Sequence, residues 1–546
     1  MLKFLKKLVS STSQPSPAKA SQQPDAAAIK QEADTAIRAG SVMKALDLYK
    51  QAIAIDPQMA KAHVMCGHIY CGLKQYKLAE TYLTTAIELA PEVADSYYLL
   101  GTIALNEKDY ENAISLFEKS IELDPQQPFA YRDLCMAFFS NRNLPKAEAI
   151  AHQGISLYPD FPDLHMHRGN TLAFLQRAHE ALACYDQVEA LIKETPGLCY
   201  NRAAVYLSIN HFDKALQLLE RAQELSPGYI DAAFEESIIR LLKGDFERGW
   251  PKFESRWQVE RLGLGKINST SPRWKRLDSL TNKTIMLAAE QGFGDTFQFI
   301  RYVKLVSDAK PKGIIVVVFS AQVELMQQLK TIPSVTHVIT EYVPPPPHDY
   351  YCPLMSLPLA FGTTIETIPN KVPYLHCDKA YLEKWDRELG ARRRPLRVGL
   401  TWSGNPKHTN DHNRSVHIEH LKKIVEFDAE FVVLQKDINE EGRLFLDRLE
   451  NTIVHRPDIK TFSDTAALIE LVDVVISVDT SILHLAAAMG KPVWVMLPFA
   501  PDWRWMYDTD KSPWYPTVRL FRQKTQGDWA SVIDPIVIAL SEFNKV

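Results

Sequence analysis

Three short stretches hold residue types able to bind or transform a phosphorylated ligand. The first is Gly292-Phe-Gly-Asp295. Gly292 and Gly294 let the backbone approach a ligand closely, and a helix starting here favours negative charge at its N-terminus. Asp295 is then placed to act as a general base, although a GxGD loop by itself is a common turn. The second stretch is Trp402-Ser-Gly-Asn-Pro-Lys407, continuing through Arg414. Its Ser403, Gly404, Asn405, Lys407 and Arg414 suit a diphosphate, and in isolation they suit a solvated loop equally well. The third is Ser477-Val-Asp-Thr-Ser-Ile-Leu-His484. Thr480 and Ser481 open a helix there, so backbone N–H groups and hydroxyls can hold phosphate oxygens. The competing reading of Asp479 and Thr480 is helix capping.

These loops need elements to position them. Thr284-Ile-Met-Leu-Ala-Ala289 and Gly313-Ile-Ile-Val-Val-Val-Phe319 are apolar runs without alternation, the pattern of strands buried on both faces. His337-Val-Ile-Thr340 reads as a third strand, and His348–Pro353 as a short strand or loop. The pattern restarts with Arg397–Trp402, Glu430–Leu434 ending at Gln435, Asp473–Ser477 and Pro492–Leu497. Strands alternating with helices predict parallel sheets with ligands at the carboxyl ends of the strands. Asp502-Trp-Arg-Trp505 and Lys511-Ser-Pro-Trp-Tyr515 follow the last of these strands. They read either as near-site loops or as packing for the C-terminal helix on the first of two such domains.

The first half is different. Ala45, Ala79, Ala113, Ala147, Ala181 and Ala215 recur every 34 residues, as do Pro57, Pro91, Pro125, Pro159 and Pro227 with one miss at Lys193, near Pro196. Gly67, Gly101 and Gly169 hold a third phase, with Cys135 and Ala203 as small stand-ins. Tyr49, Leu83, Phe117, Tyr185 and Leu219 hold a fourth, broken at Ala151. Small residues let paired helices approach, large ones fill the groove between them, and proline ends the second helix. Positions and period resemble the tetratricopeptide repeat over roughly residues 26–257, with six clear repeats and an atypical seventh. Such repeats stack into a solenoid whose concave face holds a protein segment. Trp250, Phe253 and Trp257 are expected to cover the open end of the stack or to dock against the second half.

Composition narrows the partners. A net charge of −4 over 546 residues argues against general nucleic-acid binding. Seven cysteines without a CxxC pair fit reduced thiols in a cytoplasmic protein, and Cys66, near His63 and His68, falls on a packing position of the repeat. Lysines interrupt Met1–Val9 at once, so it is not a secretory signal; it reads as a solvated start or a weak, peripheral contact with the inner membrane face. The following residues, to about Ala28, read as a flexible linker.

Taken together, the three loops resemble those of the lipopolysaccharide heptosyltransferases, GT-B enzymes of glycosyltransferase family 9, over about residues 283–540. The most specific part is Val478-Asp-Thr-Ser-Ile-Leu-His-Leu-Ala-Ala-Ala-Met-Gly-Lys-Pro492, with Ser481 where the family usually has glycine. The resemblance implies an all-α solenoid followed by an α/β GT-B fold of two Rossmann-like domains. The expected segments are 1–28 flexible, 29–257 repeats, 258–281 linker, 282–380 acceptor-side domain and 381–546 donor-side domain. It further implies an inverting, metal-independent transfer from a nucleotide sugar, with no cofactor, to a protein or glycan recruited by the repeats. Asp295 would be the base. Gly292, Gly294, Ser403, Gly404, Asn405, Lys407, Arg414, Gln435, Asp479, Thr480, Ser481 and His484 would bind the donor. The alternative is a repeat scaffold whose transferase-like half is catalytically silent.

Overall fold

A computed structural model describes residues 25–275, 278–405, 410–450 and 452–543. Compactness divides the chain into one unit ending at Val205 and another beginning at Tyr206. The basic segment Met1–Val9 lies outside the described residues.

Helix pairs follow the period of 34. The first is Ala26–Arg38 with Val42–Ile55, and later pairs include Ala94–Asn106 with Tyr110–Leu123 and Pro162–Phe174 with Ala178–Leu191. Glycine is required where paired helices touch. A Cβ at Gly101 would lie 2.7 Å from the Phe117 ring, and one at Gly169 would lie 2.5 Å from that of Tyr185. At the same register Cys135 faces the phase where Ala151 interrupts the large residues, and both are fully buried. The interruption is a volume compensation: a larger residue on one helix is met by a smaller one sixteen residues on. The turn inside each pair adds a phase that composition hides. Gly40, Lys74, Lys108, Arg142 and Gln176 all have φ between 58° and 86°, a left-handed conformation that side chains other than Gly, Asn and Asp rarely take.

The unit from Tyr206 begins with the last repeat helices, among them Ile230–Leu242 and the short Phe246–Phe253. Two parallel sheets follow. The first holds β1 (Thr284–Ala288), β2 (Gly313–Val318), β3 (Val335–Thr340) and β4 (Tyr350–Pro353) in the order β3-β2-β1-β4. The second holds β5 (Arg397–Thr401), β6 (Glu430–Val433), β7 (Ile453–His455), β8 (Val474–Val478), β9 (Val493–Leu497) and β10 (Val518–Arg522), ordered β10-β9-β8-β5-β6-β7. Counted from β5, that is the 3-2-1-4-5-6 order of the doubly wound dinucleotide-binding fold.

Of the two readings of His348–Pro353 the strand holds, because residues 350–353 pair with β1. β7 is only three residues long, and Arg519 and Arg522 interrupt β10, so neither stands out as an apolar run. The C-terminal helix Ala530–Phe543 covers the second sheet: Val532, Ile533 and Ile536 join Val474, Ile476 and Phe521 in one core.

The aromatic tail of the last repeat docks on the α/β part. Trp250 packs edge-on against Trp503 at 5.4 Å and donates its indole N–H to the Thr363 carbonyl at 3.0 Å. Phe253 lies 5.9 Å from Trp503. Just beyond, Arg256 is fully buried and donates to both Glu290 carboxylate oxygens, at 2.9 and 3.0 Å, and to Ser356 Oγ at 2.6 Å. Glu290 also accepts from the Met355 N–H at 3.1 Å, which ties the ends of β1 and β4 together. Burial pushes the Glu290 carboxyl up to about 7 against the opposing pull of Arg256.

Trp250→Ala should lower unfolding free energy by about 3–5 kcal/mol, the usual cost of emptying a tryptophan site, read from urea melts of the full chain. Glu290 binds its proton more tightly folded than unfolded. Its contribution is therefore complete below about 4.5 and lost as pH rises through about 7. Melts across that range should show a decline that Glu290→Gln flattens; an equal slope in both proteins would contradict this assignment.

Candidate functional site

β1 ends in a loop that enters the helix Phe293–Phe299 at Gly292. Asp295 turns back to that entry, and its Oδ2 accepts the Gly292 N–H at 2.7 Å. The other oxygen, Oδ1, accepts from the Arg504 guanidinium. The Asp295 side chain keeps 18% of its surface exposed.

In the second sheet β5 and β8 are neighbours, and the winding of the chain reverses between them. A crevice outside the carboxyl ends of strands is expected at that point, and the loops after β5 and β8 border it. Gln435 Oε1 accepts from the Ser403 and Trp402 N–H groups at 3.1 and 3.4 Å, while its amide donates to the Asp437 carbonyl at 2.8 Å. Gln435 therefore holds the β5 loop in shape. Gly404 N–H donates to Ser415 Oγ at 3.0 Å, and Asn405 is exposed. Arg414 links the two loops: its Nε donates to Asp411 at 3.2 Å and its Nη1 to the Asp479 carbonyl at 3.1 Å. Lys407 lies outside the described residues.

After β8, Thr480 takes the extended N-cap conformation before the helix Ser481–Ala488, yet its side chain makes no capping bond. Thr480 Oγ1 instead lies 3.4 Å from Ser477 Oγ. The capping reading of Thr480 fails, and among the described residues no side chain caps the first N–H groups of this helix. Asp479 turns away from the helix start. Trp505 Nε1 donates to its Oδ2 at 2.9 Å, and His484 Nε2 lies 3.6 Å from its Oδ1. Burial alone would raise the Asp479 carboxyl, but His484, Trp505 and Arg504 outweigh it and hold it below the usual carboxylate range. His484 is itself enclosed, with its ring stacked on Trp505 at 5.5 Å and Nδ1 3.0 Å from the Tyr515 hydroxyl.

The two sheets' loops meet at one close contact. A Cβ on Gly294 would stand 2.8 Å from His484 Cδ2, so glycine there lets the helix carrying Asp295 lie against the helix that starts at Ser481. The structure thus brings Gly292, Gly294, Asp295, Asp479, Thr480, Ser481 and His484 into one locality. Ser403 and Gly404 lie on the loop after β5, and Arg414 joins that side to the Asp479 carbonyl.

Sequence reasoning left Arg504, Trp505 and Tyr515 undecided between site and packing, and the tryptophan-rich loop does both. Trp503 and Trp514 are buried in the aromatic core, whereas Arg504, Trp505 and Tyr515 contact Asp295, Asp479 and His484. Arg301 had no signal. It is buried, donates to the Tyr374 hydroxyl at 2.9 Å and lies 4.3 Å from the Tyr515 ring centre. An Asp-x-Asp spacing does occur at Asp508-Thr-Asp510; its backbone lies against β10, with Arg522 donating to the Thr509 carbonyl at 2.8 Å and the Leu520 N–H to the Asp510 carbonyl at 2.9 Å.

Comparison with known proteins agrees with both halves. Residues 36–102, 94–127 and 196–229 match tetratricopeptide repeat families. Residues 459–496, which include Asp479, Thr480, Ser481 and His484, match Glycosyltransferase family 9 (heptosyltransferase). The chain thus combines stretches similar to tetratricopeptide repeats with a short stretch similar to family 9 glycosyltransferases. Repeats of this kind imply a protein–protein contact, and the family 9 match points to a glycosyltransferase. Protein FlbA of Caulobacter vibrioides is 26% identical over 400 residues, 69% of this chain, and the aligned part spans 66% of that relative's length. Among solved structures, YrrB, described as a TPR protein with an unusual peptide-binding site, is 19% identical with a TM-score of 0.31; the match covers 34% of this chain and 97% of YrrB. Pseudomonas aeruginosa PilF is 17% identical with a TM-score of 0.36, covering 39% and 96% respectively. No helix among the described residues is long and apolar enough to cross a membrane.

Gly294→Ala should destabilise the folded chain by about 1–3 kcal/mol through overpacking against His484. Combined with His484→Ala, the added loss should shrink, because the ring that meets the new methyl is gone. Additive losses in the four-member unfolding cycle would show that the two helices do not meet there.

Proposed function

We propose that the chain is an inverting glycosyltransferase that moves a sugar from a nucleotide-sugar donor to a protein or glycan acceptor recruited by its repeats. The observation that carries this reading is the uncapped helix start at Thr480–Ser481, beside the β5/β8 crevice, with Arg414 bonded to the Asp479 carbonyl. Free backbone N–H groups, the helix dipole and a cation together suit a diphosphate. In this reading the donor diphosphate rests on that helix start, with Arg414 and Lys407 supplying positive charge. Ser403, Gly404 and Asn405 line the other wall.

The acceptor hydroxyl oxygen attacks the anomeric carbon as the bond from that carbon to the diphosphate oxygen breaks. Asp295 takes the hydroxyl proton, and the helix start and the cations stabilise the charge that grows on the leaving diphosphate. A helix dipole with cations can serve where other transferases use a divalent ion, so the reaction is expected to proceed without added metal. Asp479 and His484 act by shaping the helix start from within, since their polar atoms are engaged with Trp505 and Tyr515.

The second reading, a repeat scaffold with a silent transferase half, draws on the engagement of both Asp295 oxygens by Arg504 and Gly292. The two are separated by incubating the full chain with a panel of nucleotide sugars in EDTA, wild type beside Asp295→Asn. One donor should be consumed, with turnover falling at least about 100-fold in the variant, the scale of lost general-base catalysis. Failure of the wild type to bind or consume any donor at millimolar concentration would leave the scaffold. Turnover that appears only with added divalent ion would refute the metal-free mechanism.

A further inference from the structure

The loop between β9 and β10 carries a charged group that the reaction scheme above does not use. Arg504 is 8% exposed, and each of its three nitrogens donates to a different acceptor. Nε reaches Gln298 Oε1 at 2.7 Å, Nη1 reaches Asp502 Oδ1 at 2.8 Å, and Nη2 reaches Asp295 Oδ1. Trp503 lies against the guanidinium face, 4.6 Å from ring centre to Cζ. Asp502 is in turn held by the Arg504 backbone N–H at 3.0 Å. Burial works against the guanidinium charge, but Asp502, Asp295 and Asp479 outweigh it and keep it protonated.

Gln298 and Asp295 are three residues apart on one helix and so share a face. Arg504 grips both, and with them the helix that presents the carboxylate. Gly292 N–H holds the other oxygen, so each Asp295 oxygen carries one donor and keeps one acceptor position. Two donors from two separate segments fix the plane of the carboxylate, which neither could do alone.

We propose that Arg504 is the positioning residue of Asp295, setting the plane in which that carboxylate meets an acceptor hydroxyl. This rests on the transferase reading given above. It goes further by assigning orientation of the base to an arginine on the other sheet's loop, outside the donor contacts. The role needs a planar fork with separate donors; a lysine ammonium supplies charge without that geometry.

The test is steady-state transfer by the full chain for wild type, Arg504→Lys and Arg504→Ala, with nucleoside diphosphate affinity measured alongside. Misplacing a reacting group by about 1 Å costs on the order of 100-fold. Arg504→Ala should therefore lose about that much in kcat, and Arg504→Lys at least about tenfold, while donor KM and diphosphate affinity stay within about twofold. Free guanidinium should restore part of the kcat of Arg504→Ala. If that variant does not fold, Arg504→Lys carries the test through its split between kcat and KM. A kcat for Arg504→Lys within about threefold of wild type overturns the proposal. So does a loss expressed mainly in donor KM, or one that guanidinium leaves unchanged in folded Arg504→Ala. These failures differ from failure of the transferase reading, in which the wild type itself turns over no donor and the proposal falls with it.

Discussion

The unit from Tyr206 onward is organised around a cluster of tryptophans where three separate segments meet. Trp250 comes from the last repeat, and Trp503 and Trp514 come from the loop between β9 and β10; all three are at most 2% exposed. Phe299, from the helix that carries Asp295, lies 6.4 Å from Trp503 and 5.7 Å from Trp514. Connecting segments normally run over a protein's surface, so burial of this loop's three indoles, Trp503, Trp505 and Trp514, is a strong constraint on its path. Trp503 enters the cluster, and the next residue, Arg504, is directed to Asp295 and Gln298. Trp505 then donates to Asp479. A hydrophobic contact thereby sets the position of the polar groups at the site.

Electrostatics explain why those groups are paired before any ligand arrives. A buried charge is costly unless it is hydrogen-bonded and matched. Arg504 is matched by Asp295 and Asp502, and Asp479 by His484 and Trp505. From the loop after β5, Arg414 bonds the Asp479 carbonyl and not its carboxylate. The uncapped helix start at Ser481 is thus the place where unmatched backbone donors and a nearby cation coincide. Preorganised dipoles of this kind need no rearrangement when charge develops on a leaving group.

Much of the repeat half was legible because its packing rule recurs. Alanine, glycine and proline at fixed phases reflect one helix-pair geometry copied along the chain, and even the break at Ala151 is answered by Cys135 at the paired phase. The left-handed turn phase was not legible. Lys74, Lys108, Arg142 and Gln176 occupy its middle, and residue type reveals that conformation only at Gly40, Asn210 and Gly244. In the α/β part, central strands such as β8 were visible as continuous apolar runs, because a parallel strand covered on both faces has no polar side. The short edge strand β7 and β10, broken by Arg519 and Arg522, lacked that signature.

The sequence by itself determined the period of the solenoid, the central strands and the three polar loops, since each depends on residues close together in the chain or on a repeating rule. Tertiary structure decided which polar side chains do what. Gln435 and His484 carry the same side chains in any loop, but burial turns the first into a brace for Ser403 and the second into a partner of Tyr515 and Asp479. Arg504 meets Asp295 across 209 residues of sequence. No local pattern encodes a pairing at that separation, because it arises only when the indole on either side of the arginine finds its place in the core.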